Sequence, residues 1–179
     1  MKFNCFFLIC FFSTFAYFSQ ELIQDKNAST ISFKIKNFGL LVDGNFNDFK
    51  FSSNFHSENI KESFINAEID VASIFTDFKS RDEHLLKSDF FDVEKYPKII
   101  FKSSEITKNT RSNYILKGTL TIKGIPKKVA VPLEIKQVKK GFVFLANFTL
   151  KRTDFNIGGN SFVLSKNVNI TMKYVATRN

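Results

Sequence analysis

The chain has 179 residues, a formal net charge of +9 at pH 7 and no tryptophan, and 24 of its residues are phenylalanine. This length suits one domain with a hydrophobic core of its own. Both cysteines lie within residues 1–10, so a chain that has lost this segment has no disulfide, thiol nucleophile or thiolate metal site. The lysines alternate with apolar residues, which favours the solvated faces of strands over a nucleic-acid-binding surface.

Residues 1–19 have the composition of a secretory signal peptide. Lys2 precedes an apolar run from Phe6 to Phe12, and small residues follow near Ala16. The run is too short to cross a membrane as a helix. We therefore predict cleavage after residue 16 or 19, a domain over residues 20–179 and a periplasmic or secreted location. A retained N-terminal anchor is the alternative.

Alternation of apolar and polar residues with period two predicts about eight strands in the remaining chain. They are expected at 29–37, 41–51, 65–73, 98–104, 113–122, 128–135, 141–150 and 167–176. Short turns at 123–126 and 139–141 indicate antiparallel neighbours. Strands with one apolar face, together with few helices, leave a sandwich or a closed barrel as the architecture.

Three residues indicate irregular positions within these strands. Gly44 and Gly118 suit the sharp bends that closure of a barrel requires. Pro132 has no N–H group, so it needs an edge, a bulge or a missing ladder bond.

The segment SRDEHLLKSDFFDVEKYP, residues 80–97, interrupts the alternation. Ser80 and Glu83 have the spacing of a capping box, which predicts a short helix from about Arg81 to Ser88. Pro97 indicates the return to extended chain. The helix and the loop after it are expected to close or border the sheet structure through an apolar surface formed by Leu85, Leu86 and Phe90.

The sequence offers little for catalysis. The two histidines, His56 and His84, do not have the spacing of a metal site, and no G-x-S-x-G motif occurs. We therefore predict no catalytic residue, no metal site and no enzymatic activity. The most direct role for His84 is a hydrogen bond to the loop backbone, and the alternative is a place beside a polar group of a ligand.

Residues 80–104 resemble the signature of the YceI family of secreted bacterial proteins, in which Arg-Asp-x-His-Leu precedes Asp-Phe-Phe-Asp, Tyr-Pro and Phe-x-Ser. Matching stretches at 37–49, 116–135 and 151–159 extend the resemblance over nearly all of the chain after the signal peptide. The resemblance implies a lipocalin-like, eight-stranded antiparallel β-barrel. It also implies a polyisoprenoid ligand such as a prenyl phosphate or a quinone tail, and no established catalysis.

Two histidines that are common in the family are absent here. The first would lie within residues 25–29, and the second position is occupied by Asn37. The way in which relatives hold a ligand head group therefore does not transfer directly to this chain.

Alternation predicts which apolar side chains line such a barrel, although an eight-stranded barrel filled by these side chains is the alternative. The predicted lining is Phe33, Ile35, Phe46, Ile69, Val71, Phe101, Leu116, Leu120, Val131, Leu133, Phe144, Phe148, Ile170 and Met172. The predicted head-group contacts are Arg81, His84 and Arg152. A guanidinium group suits a phosphate, and ion pairs with Asp82 or Asp154 are the simpler role for the two arginines.

The sequence thus predicts a secreted binding protein for a long isoprenoid lipid, with carriage or storage as its role. Apart from that lipid or quinone we expect no cofactor. The expected partners are the lipid and, peripherally, a membrane, and nucleic acid is not among them. A structural or interaction protein with a filled barrel is the main alternative, and a hydrolase is a weaker one.

Overall fold

The computed structural model describes residues 22–178, in which eleven strands and one α-helix form an antiparallel sheet curled into a lipocalin-like barrel. The predicted signal peptide lies outside these residues. The strands are β1 (Ile23–Gln24), β2 (Thr30–Asn37), β3 (Leu40–Phe46), β4 (Phe49–Ser53), β5 (Ile65–Asp70), β6 (Ile74–Phe75), β7 (Lys98–Lys108), β8 (Asn113–Ile122), β9 (Ile125–Val138), β10 (Gly141–Lys151) and β11 (Leu164–Thr177). The helix α1 is Lys79–Leu85, and short 3₁₀ turns lie at Ile60–Glu62, Val71–Ser73 and Arg152–Phe155.

The order of the strands in the sheet is β4-β5-β7-β8-β9-β10-β11-β2-β3-β6, and β1 pairs with the end of β11. The barrel closes between β1 and β4 through a bridge of Leu22 with Ser53. The side chain of Gln24 adds to this closure. Its Oε1 accepts from the Phe51 N–H at 2.7 Å, and its Nε2 donates to the Phe49 carbonyl at 3.4 Å. A side-chain amide therefore replaces backbone bonds where the ladder is short.

The antiparallel barrel confirms the predicted fold class, whereas the number of strands differs from the expected eight. The extra strands have simple origins. β1 and β6 are two residues long, and the strand expected at 41–51 is divided into β3 and β4. Inward-facing residues of neighbouring strands lie opposite one another, as the alternation predicts. Phe144 on β10, for example, pairs with Tyr174 on β11.

The two strand glycines make room for aromatic rings. A Cβ atom on Gly44 would lie 2.3 Å from the ring of Phe33, its partner on β2. A Cβ atom on Gly118 would lie 2.6 Å from the ring of Phe101 and 2.5 Å from a backbone oxygen of β7. Gly118 also lies beside the register shift between β7 and β8. These glycines therefore allow close packing of rings against the strands, and the bends expected there stay a prediction.

Pro132 occupies a position where its missing N–H costs nothing. It pairs with Ile115 of β8 on one side, and the ladder between β9 and β10 begins only at Leu133. Of the three situations that the sequence allowed, an edge, a bulge or a missing ladder bond, the structure shows the third.

The prediction for the helix was partly wrong. The helix begins at Lys79 and ends at Leu85, rather than running from Arg81 to Ser88, and its N-cap is Phe78, which makes no side-chain capping bond. The capping box at Ser80 therefore does not form. Contacts of Arg81 with Thr76 hold the start of the helix instead. No helix in the described part of the chain is long and apolar enough to cross a membrane.

One end of the barrel is filled by aromatic side chains. Tyr174 stacks on Phe144 and on Phe51, with ring centroids 5.1 and 4.5 Å away. The ring of Phe55 comes from the loop between β4 and β5, is 2 % exposed, and makes edge contacts with Phe142 and Phe144. We call these residues, together with Tyr114, the aromatic cluster. It closes the end of the barrel that carries the β9–β10 turn.

Candidate functional site

The opposite end of the barrel is hollow. A cavity of about 420 Å³ lies where the β2–β3 turn, the residues around α1 and the segment 152–163 meet. Seventeen of its 24 lining residues are apolar. They are Phe33, Ile35, Val42, Phe46, Ile74, Leu85, Phe90, Phe91, Ile99, Ile122, Leu150, Phe155, Ile157, Val163, Leu164, Val168 and Ile170. The other seven are Asn37, Thr76, Arg81, His84, Arg152, Gly158 and Ser161.

Arg152 is a buried cation that holds the loop at the cavity mouth. Its side chain donates to four backbone carbonyls, those of Ser165 (2.8 Å), Ile157 (2.6 Å), Gly159 (2.7 Å) and Leu164 (2.9 Å). Burial lowers its pKa, and the residue is 3 % exposed. No ion pair with Asp154 forms, because the backbone of residues 157–165 turns its carbonyls toward the guanidinium group. The arginine thus fixes the shape of this loop.

Arg81 is tied to the residue that precedes the helix. Its Nε donates to the Thr76 hydroxyl at 2.7 Å and its Nη2 to the Thr76 carbonyl at 2.6 Å. The Thr76 hydroxyl donates in turn to Asp82, so the expected pairing of Arg81 with Asp82 is indirect. The Nη1 group makes no hydrogen bond within residues 22–178. Arg81 therefore keeps donors that could serve a ligand in the cavity.

His84 connects α1 to the loop that follows it. Its Nε2 lies 3.3 Å from Asp89 Oδ2, and its ring lies 5.0 Å from that of Phe90. The backbone carbonyl of Asp89 accepts from the Gly158 N–H at 2.8 Å. The expected bond from His84 to loop backbone is thus replaced by a contact with a carboxylate. The same short segment ties α1 to residues 152–163.

Two small polar side chains lie at the mouth of the cavity. The Ser161 hydroxyl oxygen accepts from the N–H groups of Val163 (3.3 Å) and Leu164 (3.0 Å). Asn37 is half-buried, and its side-chain amide makes no hydrogen bond within the described residues. Asn37 therefore offers both a donor and an acceptor to a ligand.

The arrangement gives little support to covalent chemistry. The hydroxyl groups on the cavity wall belong to Thr76 and Ser161, and both are engaged, with Arg81 and Asp82 or with backbone N–H groups. His84 contacts a carboxylate rather than either hydroxyl. The wall instead presents a large apolar surface with a few polar groups at one side.

The structure divides the predicted lining residues among three places. Four line the cavity, namely Phe33, Ile35, Phe46 and Ile170. Six are buried in the core, namely Val71, Leu116, Leu120, Val131, Leu133 and Phe144. Four are half-buried and pack against the core, namely Ile69, Phe101, Phe148 and Met172. The predicted head-group residues Arg81, His84 and Arg152 all reach the cavity wall. Contact of any of these residues with a ligand stays a prediction.

The lining residues that sequence reasoning missed include two different kinds. Val42, Leu150 and Val168 share the inward face with predicted residues, so the alternation could have identified them. Phe155 and Ile157 lie in an irregular segment, where no periodic pattern indicates the direction of a side chain. The carbonyl of Ile157 accepts a hydrogen bond from Arg152, a contact that cannot be read from spacing.

The comparisons with known proteins agree over nearly the whole described chain. Residues 23–176 match the profile of the YceI-like domain. A UPF0312 protein of Photorhabdus laumondii is 35% identical over 133 residues, which are 70% of this chain and 69% of that protein.

Solved structures show the same fold. The crystal structure of BcnA from Burkholderia cenocepacia has a TM-score of 0.83 and 28% identity, and the match covers 87% of this chain and all of BcnA. A polyisoprenoid binding domain from Saccharophagus degradans has a TM-score of 0.72 and covers 89% of this chain and 99% of that domain. Its identity is 13%, so this likeness concerns the fold.

Proposed function

Because the chain belongs to the YceI-like domain family, we propose that it is a binding protein that holds an apolar lipid tail in the hollow end of its barrel. An isoprenoid tail, of a prenyl phosphate or a quinone, is the ligand that we favour. We further propose that a signal peptide delivers the protein to the periplasm or the exterior, where it carries or stores this lipid. Binding, rather than catalysis, is the proposed activity.

The observation that carries the proposal is the apolar cavity itself. Its volume of about 420 Å³ lies within the range of roughly 300–1,000 Å³ that is typical of ligand pockets. Apolar side chains form most of its wall, so each tail CH₂ that leaves water contributes about 0.8 kcal/mol before the costs of association. A domain of the same fold from Saccharophagus degradans is a polyisoprenoid binding domain, which supports the choice of tail.

The aromatic cluster sets how far a tail can reach. Phe144 and Tyr174 are fully buried at the end of the barrel opposite the mouth, where their rings stack 5.1 Å apart. A tail that enters at the mouth would meet closely packed rings in that half. We therefore propose that the length of the tail held inside is limited by this floor, and that a longer tail would leave its remainder at the mouth.

The polar groups on the wall suggest where a head group would lie. Asn37 and Arg81 retain hydrogen-bonding groups, and both reach the cavity. Arg152 has most of its donors occupied by carbonyls, so it would position the loop around the head group. A charged guanidinium group distinguishes ligands by charge. Arg81→Gln should therefore weaken binding of a prenyl phosphate more than binding of a neutral quinone.

Solvent extraction tests the proposal. Protein purified from its host without detergent is extracted, and the extract is analysed by mass spectrometry beside native mass spectrometry of the intact complex. We expect a prenyl lipid or a quinone that remains bound through purification. Preparations that repeatedly contain no lipid, and that take up none from added quinone or prenyl phosphate, would contradict the proposal.

A matched pair of variants locates the ligand. Ile35→Trp places a large ring in the cavity, where Ile35 lines the wall, and should lower the lipid content strongly. Leu145→Trp makes the same kind of change on the outward face of β10, where Leu145 lies opposite Lys173, and should leave the lipid content unchanged. Equal lipid content in the two variants would place the ligand outside the cavity.

A further inference from the structure

Five large apolar side chains are exposed together beside the mouth of the cavity. They are Phe38 (74 % exposed), Leu40 (74 %), Leu41 (54 %), Phe162 (fully exposed) and Val163 (41 %). We call this set the apolar rim. Exposed apolar groups that lie singly on a surface need no explanation, whereas a group of this kind at one place indicates an interaction site.

Backbone pairing holds the two parts of the apolar rim next to each other. The Phe38 N–H donates to the Val163 carbonyl at 2.9 Å, and Asn37 pairs with both Leu40 and Leu164. The β2–β3 turn and the segment before β11 are therefore neighbours through main-chain bonds. Arg152, which binds the carbonyls of Gly159 and Leu164, fixes the second part from inside.

The conformation of Phe38 also indicates a role outside the monomer. Its φ is +51°, and the next residue, Gly39, has φ of +79°. Hairpin turns of this kind favour asparagine or aspartate followed by glycine, and a bulky residue with positive φ is uncommon. A phenylalanine here bears this conformational cost while most of its ring faces solvent. Contact of the ring with a partner would account for its presence.

The apolar rim is continuous with the cavity. Val163 belongs to both, and its neighbours Ser161 and Leu164 also line the cavity. Asn37, which precedes Phe38, lies at the same mouth. Apolar surface therefore leads from the outside of the barrel into its hollow end without passing to another face of the protein.

Two unpaired lysines lie beside this surface. Lys36 lies opposite Leu41 in the β2–β3 ladder, and Lys166 follows Leu164 on β11. Both are exposed and make no ion pair within residues 22–178. Lys34 on β2 pairs with Asp43, and Asp154 is a further exposed acid in the segment before β11. The whole chain carries a net charge of +9, so its overall charge is complementary to an anionic surface.

From the exposed apolar rim, its unpaired lysines and its continuity with the cavity, we propose that this end of the barrel docks on a membrane that contains anionic lipids. Apolar side chains inserted at the level of the head groups, with lysines beside them, are the usual means by which a protein binds to the surface of such a membrane. Docking would place the mouth of the cavity against the lipids. Transfer of a tail from the membrane into the cavity rests on the proposed function, whereas docking itself does not.

Single tryptophans provide the test, because the chain has none of its own. Phe162→Trp places a probe in the apolar rim, and Val138→Trp places one at an exposed site (42 %) at the opposite end of the barrel, beside the β9–β10 turn. All variants are expressed in the natural host and purified in the form that this host produces, so they have the same N terminus. Vesicles contain equal parts of phosphatidylglycerol and phosphatidylcholine, with brominated acyl chains that quench tryptophan at membrane depth.

We expect a blue shift and strong quenching for Phe162→Trp and neither for Val138→Trp, because only the apolar rim enters the bilayer. In the chain with Phe162→Trp, the further change Phe38→Ser should reduce partitioning into these vesicles by about tenfold. Vesicles of phosphatidylcholine alone should bind more weakly, because the lysines then have no anionic partner.

Three outcomes would overturn the proposal. Equal quenching of both probes would assign binding to another part of the chain, and quenching of neither would exclude insertion. If the protein does not bind vesicles but forms a dimer that dissociates in the Phe38→Ser variant, the partner is a second copy of the chain. Extraction of bound lipid from the same preparations reports on the cavity alone and does not depend on any of these three outcomes. Absence of docking and absence of a cavity ligand are therefore distinguishable.

Discussion

The two ends of this barrel are built from the same strands, yet one is filled and the other is hollow. In the filled end, strands β4, β8, β10 and β11 turn aromatic rings inward, and Phe55 enters from a loop to complete the packing. In the hollow end, β2, β3 and β11 present Ile35, Val42, Val168 and Ile170 together with Phe33, Phe46 and Leu164, and a cavity of about 420 Å³ remains. An alternating pattern specifies which residues point inward, whereas their volumes decide whether the interior holds a ligand.

Phe33 shows how a large residue can face the interior and still leave space. Its ring lies against Gly44 on the neighbouring strand, so close that a Cβ atom there would be 2.3 Å away. The ring is therefore held along the wall rather than across the cavity. In the filled end, by contrast, Phe144 stacks on Tyr174 and contacts Phe142 and Phe55. Four experiments with six variants can challenge this contrast.

We expect the largest effect from Phe144→Ala in the aromatic cluster. The side chain is 0 % exposed, so its removal should lower the free energy of unfolding by about 3–5 kcal/mol. Phe33→Ala should cost less, because that ring already borders empty space. Chemical denaturation of both variants checks the comparison. Equal losses would mean that the two ends are packed alike.

Arg152→Met should have the next largest effect, because it leaves four backbone carbonyls without their donor. Hydrogen bonds to a charged group contribute about 1.5–3 kcal/mol each, and water at the mouth will replace part of this loss, so we expect a net decrease in the free energy of unfolding of about 1.5–3 kcal/mol. Hydrogen exchange of residues 157–165 should accelerate while that of β8 and β9 stays slow. Unchanged exchange in this segment would show that the arginine does not hold the loop.

Gly44→Ala and Gly118→Ala form a pair in which only Gly44 lies beside a ring of the cavity wall, that of Phe33. At Gly118 the new methyl group meets a backbone oxygen of β7 at 2.5 Å, which cannot move easily, so we expect a cost of about 1–3 kcal/mol. At Gly44 it meets the Phe33 ring, which can swing into the cavity. We therefore expect a smaller cost in stability together with a loss of bound lipid, measured by denaturation and extraction. A larger loss of stability in Gly44→Ala than in Gly118→Ala would show that the Phe33 ring cannot move into the cavity.

The smallest effect should come from Lys98→Gln, whose side chain pairs with two acids, Glu68 and Asp70, and does not line the cavity. The pKa of Lys98 is raised above its ordinary value of 10.5, first by its hydrogen bond to Asp70 and also by Glu68. A raised folded-state pKa contributes stability that is complete below the unfolded value and is lost as the pH rises through the folded value. The difference between wild type and variant should therefore be small at pH 7, decrease with added salt and vanish at strongly alkaline pH. A difference in stability that persists at strongly alkaline pH would have a cause other than the charge of Lys98.

The fold was largely predictable from the sequence, because alternation is a local property. The strands β8, β10 and β11 lie close to where the pattern placed them, and the β8–β9 turn contains the expected glycine, with φ of +72° at Gly124. The start of α1 was not predictable from a capping box, because Thr76, Arg81 and Asp82 form a side-chain network that fixes it.

The site was predictable only in part. Ile35 and Ile170 were assigned to the interior and do line the cavity, but the same pattern selected Leu116 and Leu133, which are buried in the core. The pattern does not distinguish the two groups, since the distinction depends on side chains that meet across the barrel from distant strands. The role of Arg152 was likewise hidden, because its partners are backbone carbonyls rather than the nearby aspartate.

The central claim is that one end of this barrel holds an apolar ligand and the other end cannot. A crystal structure of protein purified without detergent tests it most directly. We expect elongated density in the cavity between Phe33 and Ile170, which begins near Asn37 and ends before the stacked rings of Phe144 and Tyr174. Side chains that fill the cavity, or ligand density that runs through the aromatic cluster, would contradict this claim.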